Sequence, residues 1–111
     1  MYTVAQLADR GIQPMTDEEI RAVTEGRTVR SVNLLTGFEA ILHHGADGNR
    51  SLMGLGDRPV VTPSEIRDGR RIETTLLAEQ MSVALFSVDG RILGARDDEA
   101  GYVNYEAFTM S

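Results

Sequence analysis

The chain contains no cysteine, which removes disulfides, thiolate catalysis and cysteine-ligated zinc together and leaves the redox compartment open. Tryptophan is also absent, and tyrosine and phenylalanine contribute only three residues each. Positive charge is scarce: 11 basic residues face 17 acidic ones, for a formal charge of −6. The summed field repels phosphate backbones and anionic membrane surfaces, so nucleic acid is not an expected partner. Nowhere does the chain reach the run of about 18 apolar residues that a spanning helix needs, so membrane insertion is not expected either. The opening Met1-Tyr2-Thr3-Val4 lacks the basic and apolar regions of an export signal. The location stays open: periplasmic or secreted if a signal peptide was removed, otherwise cytoplasmic.

What is present fits one soluble globular domain over residues 1–111, with 41% apolar and 25% charged residues. The chain also echoes itself. Thr16-Asp-Glu-Glu19-Ile20-Arg21 followed by Gly26-Arg27 returns as Thr62-Pro-Ser-Glu65-Ile66-Arg67 followed by Gly69-Arg70. Each copy then runs through an apolar stretch to an Asp-Gly turn, at Asp47-Gly48 and Asp89-Gly90. We read an internal pseudo-repeat, 15–58 and 61–100, in which neither copy buries its apolar face alone and both share one core.

Three places carry a helix start, with Thr at the N-cap and Gln or Glu three residues on: Thr3/Gln6, Thr16/Glu19 and Thr62/Glu65. The first helix should stop at Gly11, with Ile12 folding back onto Leu7; the second should stop at Gly26 and the third at Gly69. Pro63 suits the first turn of that third helix. Beyond Gly26 the period changes to that of strands, expected near 27–34, 38–44, 50–55, 70–77, 80–88, 91–96 and 101–108. Thr36-Gly37, Asp47-Gly48-Asn49 and Asp89-Gly90 supply the hairpin turns. Met81 to Val88 is apolar on both alternations, which marks a strand covered on both faces. The expected class is α+β, mainly β: an antiparallel meander of two αβββ-like units closing into a small barrel or sandwich. The early helices cap an end of it or lie across a face.

Chemistry is harder to find. His43 and His44 are the only histidines, and as strand neighbours they point to opposite faces. A metal would need one of them joined by distant carboxylates such as Glu39, Asp57 or Asp97, and no zinc spacing is present. One imidazole facing a cavity could serve as a general acid or base with a carboxylate, the only enzymatic opening. Asp97-Asp98-Glu99 lacks the spacing of a calcium loop and reads as a solvated turn. Gly54-Leu-Gly56-Asp57-Arg58-Pro59 lacks a phosphate-loop lysine and reads as the link between halves. No serine sits in a nucleophile elbow. Tyr102, Asn104, Tyr105 and Phe108 make the C-terminal segment the most aromatic and the candidate ligand or partner surface; in a continuous strand Tyr102, Asn104, Glu106 and Phe108 share a face.

Leu7-Ala-Asp-Arg-Gly11, Met15-Thr-Asp-Glu-Glu19-Ile20 and Gly26-Arg-Thr-Val29, followed by Ala46-Asp47-Gly48, resemble the entry to small uncharacterised exported bacterial β-domains. The likeness covers residues 5–50; the tryptophan and cysteine pair usual in the second half are missing here. It implies an extracytoplasmic protein with a lipocalin-like or related β-fold and supplies no catalytic residues. The expected function is binding of a small molecule or a protein partner without catalysis and without a cofactor, with a homodimer among the possible partners. The alternative is an enzyme using His43 or His44.

Overall fold

The computed structural model describes residues 1–54 and 56–110, and in it eight antiparallel strands close into a barrel. The elements are β1 (Tyr2–Thr3), α1 (Val4–Asp9), α2 (Asp17–Thr24), β2 (Arg27–Asn33), β3 (Glu39–His44), β4 (Asn49–Met53), β5 (Val60–Arg67), β6 (Arg70–Thr74), β7 (Gln80–Val88), β8 (Arg91–Arg96), β9 (Tyr102–Val103) and β10 (Tyr105–Thr109). Strands β2 to β8 pair in sequence order, and β10 closes the ring between β8 and β2. The chain is therefore α+β, mainly β, and closure leaves the barrel without an unpaired edge.

Both helices begin as their capping residues dictate. Thr3 Oγ1 accepts from the Gln6 N–H at 3.1 Å while Gln6 Oε1 accepts from the Thr3 N–H at 2.9 Å. Thr16 and Glu19 repeat the exchange for α2. Each box satisfies two otherwise orphaned donors and contributes about 1 kcal/mol. The end of α1 is a Schellman motif: the Ile12 N–H reaches Leu7 O and the Gly11 N–H reaches Ala8 O, both at 2.9 Å. Gly11 takes the left-handed conformation, φ 76°, that this motif needs.

The third expected helix is absent. Thr62-Pro-Ser-Glu65 lies inside β5, so the segment that echoes α2 in sequence is a strand. Its alternation explains why: Thr62 and Ser64 are buried while Val61, Pro63 and Glu65 are exposed. Tertiary pairing on both sides overrides the local capping signal. Pro63, which has no N–H to give, is the last residue paired with β4 before β5 passes to β6 at Ser64. Gly69 consequently ends no helix; Asp68-Gly69, both at positive φ (54° and 75°), is the hairpin turn joining β5 to β6. Asp89-Gly90, at 51° and 79°, makes the same turn between β7 and β8, as expected.

Two apolar clusters result. Outside the barrel, α1 lays Leu7 over the outer face of β7 and β8, against Ala84, Phe86, Val88, Leu93 and Ala95, with Val103 of β9. The two-stranded β1–β9 sheet ties this corner down. Inside, α2 plugs one end: Ile20 and Met15 pack against Leu85 with Val23, Ile66, Val83 and Ile92. The Met15 N–H bonds to Leu85 O at 2.8 Å, and Asp17 accepts from the Gly69 N–H. One helix thus caps the barrel and the other lies across a face. β7 is covered on both sides, which accounts for its apolar residues on both alternations.

Candidate functional site

With one end plugged by α2, the opposite end carries the loops that follow β2, β4, β6 and β8. Between plug and mouth lies a cavity of about 520 Å³. It exists because one wall is built from small residues. Ala107 on β10 pairs with Ser31 on β2, which pairs with Ala40 on β3, and all three face inward. An eight-stranded barrel is just filled by side chains of ordinary size, so three small ones side by side leave room for a guest. Leu42, Leu52, Met81 and Val83 make the remaining wall apolar.

The floor is different. Arg50, Arg71, Glu73 and His44 all face the cavity and are each at most 6% exposed. Glu73 bridges the two guanidinium groups: Arg50 Nη1 contacts one carboxylate oxygen and Arg71 Nε donates to the other at 3.2 Å. Arg50 also donates to Thr62 Oγ1 at 3.0 Å and Thr74 O at 3.3 Å. Arg71 donates to Ser64 Oγ and, at 2.8 Å, to Thr24 Oγ1 at the end of α2, so the plug and the floor are one hydrogen-bonded unit. Burial pushes the Arg71 guanidinium below its usual pKa, against the opposing pull of Glu73. His44 has no partner for Nδ1. Its burial, and then the charges of Arg71 and Arg50, lower its pKa from 6.5 to about 3, so it is neutral at physiological pH.

Part of the mouth is apolar. Leu35 and Phe38 after β2, and Leu76 and Leu77 after β6, are exposed; Leu77 is 81% accessible. Phe38, Leu76 and Leu77 also border the cavity. On one side Arg96 holds Asp98 through two bonds, at 2.9 and 2.6 Å, and lies 3.3 Å from Glu99. Glu99 accepts in turn from Tyr105 Oη at 2.7 Å and Asn104 Nδ2 at 2.8 Å. The Asp97-Asp98-Glu99 turn is thus tied into the barrel by Arg96. Burial and Glu99 raise the Tyr105 phenol above its ordinary pKa.

The residues singled out from sequence fall in separate places. His44 reaches the cavity floor, whereas His43 points away and meets Thr28 Oγ1 at 3.2 Å. The expected strand 101–108 breaks at fully buried Asn104, into β9 and β10. The break puts Tyr102 on the outside of the small sheet while Tyr105 lines the cavity. Phe108 is outside the barrel with the Arg30 guanidinium stacked over its ring, 4.3 Å from the centroid. Tyr102, Asn104, Tyr105 and Phe108 therefore form no single patch. Of the carboxylates considered as histidine partners, Glu39 pairs with Arg30 and Asp97 accepts from the Ser82 N–H at 3.2 Å. Arg50, Arg71 and Glu73 escaped the sequence reading. Their signal was the Arg71-x-Glu73 alternation, which places opposite charges on one strand face.

Among the described residues no cluster of three or more His, Asp or Glu is placed to hold a metal, and no helix is long and apolar enough to cross a membrane. A larger depression, about 720 Å³, runs outside the barrel where the first turn of α2 meets Asp68–Arg70, but it is open to solvent. No protein-family model matches the chain, and no curated protein or solved structure shows significant similarity to it.

Proposed function

We propose that this chain is a non-catalytic binding protein that takes one small, largely apolar molecule into its barrel. The carrying observation is the cavity of about 520 Å³, closed below by α2 and open above. Binding sites for small molecules commonly measure about 300–1,000 Å³ and combine apolar walls with a few placed polar groups. This cavity has that make-up: small and aliphatic walls, a hydrogen-bonded floor and a mouth edged by Phe38, Leu76 and Leu77. His44, held neutral among cations, is poorly suited to take a proton near neutral pH, which favours binding over acid–base chemistry.

A thermal-shift screen against a library of small apolar and amphipathic molecules tests the reading. A ligand at 100 times its dissociation constant adds about 2.7 kcal/mol, a readily visible rise in melting temperature. Several structurally related hits are expected, and silence across the whole library contradicts it.

A further inference from the structure

The floor of the cavity carries an unbalanced charge. Two guanidinium groups share one carboxylate, Glu73, and the remaining ionisable side chain, His44, is neutral there. A surplus cation on side chains at most 6% exposed is unfavourable unless something anionic answers it. The donors for such a partner are present. A guanidinium has five N–H groups, and the floor supplies each arginine with three acceptors: Thr62, Thr74 O and Glu73 for Arg50, and Ser64, Thr24 and Glu73 for Arg71. Nδ1 of His44, more than nine-tenths buried, has no partner at all and becomes a donor in the tautomer that protonates it.

We propose that the ligand is an amphipathic monoanion, a carboxylic acid whose ionised head sits against Arg50, Arg71 and His44 while its apolar body lies along the small-residue wall. The inference rests on the binding function proposed above and names its ligand class. The third arginine on the cavity, Arg96, is already answered by Asp98 and Glu99, so the attraction is concentrated at the floor. Glu79 also borders the cavity, and with a formal charge of −6 on the whole chain the general field disfavours multiply charged anions. Cationic amphiphiles meet two guanidinium groups and are refused. Neutral ones fill the same walls but leave the floor unanswered.

Decanoate, decanol and decylammonium share one chain and differ only at the head, so isothermal titration of the intact protein with the three separates head from body. Decanoate is expected to bind about tenfold or more tightly than decanol, the usual effect of a hydrogen bond to a charged group, and decylammonium more weakly than either. Equal or tighter binding of decanol overturns the anionic head while leaving the cavity as the binding site. Failure of all three overturns the binding function itself. A Glu73→Gln variant removes the one negative charge of the floor and should tighten decanoate but not decanol; weaker decanoate binding in a folded variant counts against the proposal. If that variant does not fold, the comparison on the unaltered protein decides alone.

Discussion

Acid should unfold this protein earlier than its carboxylates alone require, because His44 must stay neutral to remain buried. The folded state holds it neutral down to about pH 3, whereas the unfolded chain protonates it at its ordinary 6.5. Throughout that window the unfolded state binds the extra proton, so stability falls as pH falls; above pH 6.5 the residue is neutral in both states and contributes no slope. The loss is roughly 1.4 kcal/mol per pH unit, or about 2 kcal/mol between pH 7 and pH 5. Asp98 and Glu106, which Arg96 and Arg91 hold below the usual carboxylate range, act lower: their stabilisation is present above the unfolded carboxylate pKa of about 4 and fades below it. Urea denaturation of ligand-free protein at both pH values, for the natural sequence and for His44→Leu, isolates the histidine. With a urea slope of about 2 kcal/mol per molar, the natural sequence should lose about 1 M more in midpoint than the variant. Parallel losses in the two proteins would refute the reasoning and place His44 in contact with water.

Further substitutions probe other parts of the fold by the same assay. Leu7→Ala should cost about 2–4 kcal/mol, since Leu7 is fully buried between α1 and the outer face of β7 and β8; a loss below about 1 kcal/mol would mean that α1 is not docked there. Glu73→Ala leaves two buried guanidinium groups without their shared carboxylate and should cost about 3–5 kcal/mol, whereas a near-neutral effect would show that solvent reaches the floor. Gly90→Ala meets no neighbouring atom, so its cost of about 1–2 kcal/mol, set by φ 79° alone, measures the Asp89-Gly90 turn without any packing contribution.

Much of the scaffold could be read from local chemistry, and what could not depends on pairing. The boxes at Thr3 and Thr16 formed helices because Leu7 and Ile20 had apolar surfaces to meet. The box at Thr62 had an identical local signal but found β4 and β6 on either side. Strands β7 and β8 were legible to the residue because their inward and outward residues are apolar and a two-residue turn sets their register. The expected strand 50–55 begins one residue earlier as β4 and ends at Met53, short of the expected bound; Leu55 lies outside the described residues. The floor stayed hidden because it reverses the usual rule: Arg50, Thr62, Ser64, Arg71 and Glu73 point inward, so a reader seeking apolar periodicity takes them for surface. Of the histidine pair, opposite orientation followed from strand geometry, but which ring would meet the interior required the register of β3. The C-terminal aromatic face failed for a similar reason, since the break at Asn104 passes the chain from the β1–β9 sheet to the barrel.

The central claim is that the barrel interior is an accessible binding cavity made by Ser31, Ala40 and Ala107. Ala40→Trp places a large side chain in that space without removing any floor contact. Titration of an environment-sensitive apolar dye into both proteins is the most direct measurement. Saturable one-to-one binding to the natural sequence, abolished in an Ala40→Trp variant that is equally folded by circular dichroism, is the predicted result. Equal binding to the two proteins would put the dye on the outer surface and contradict the account.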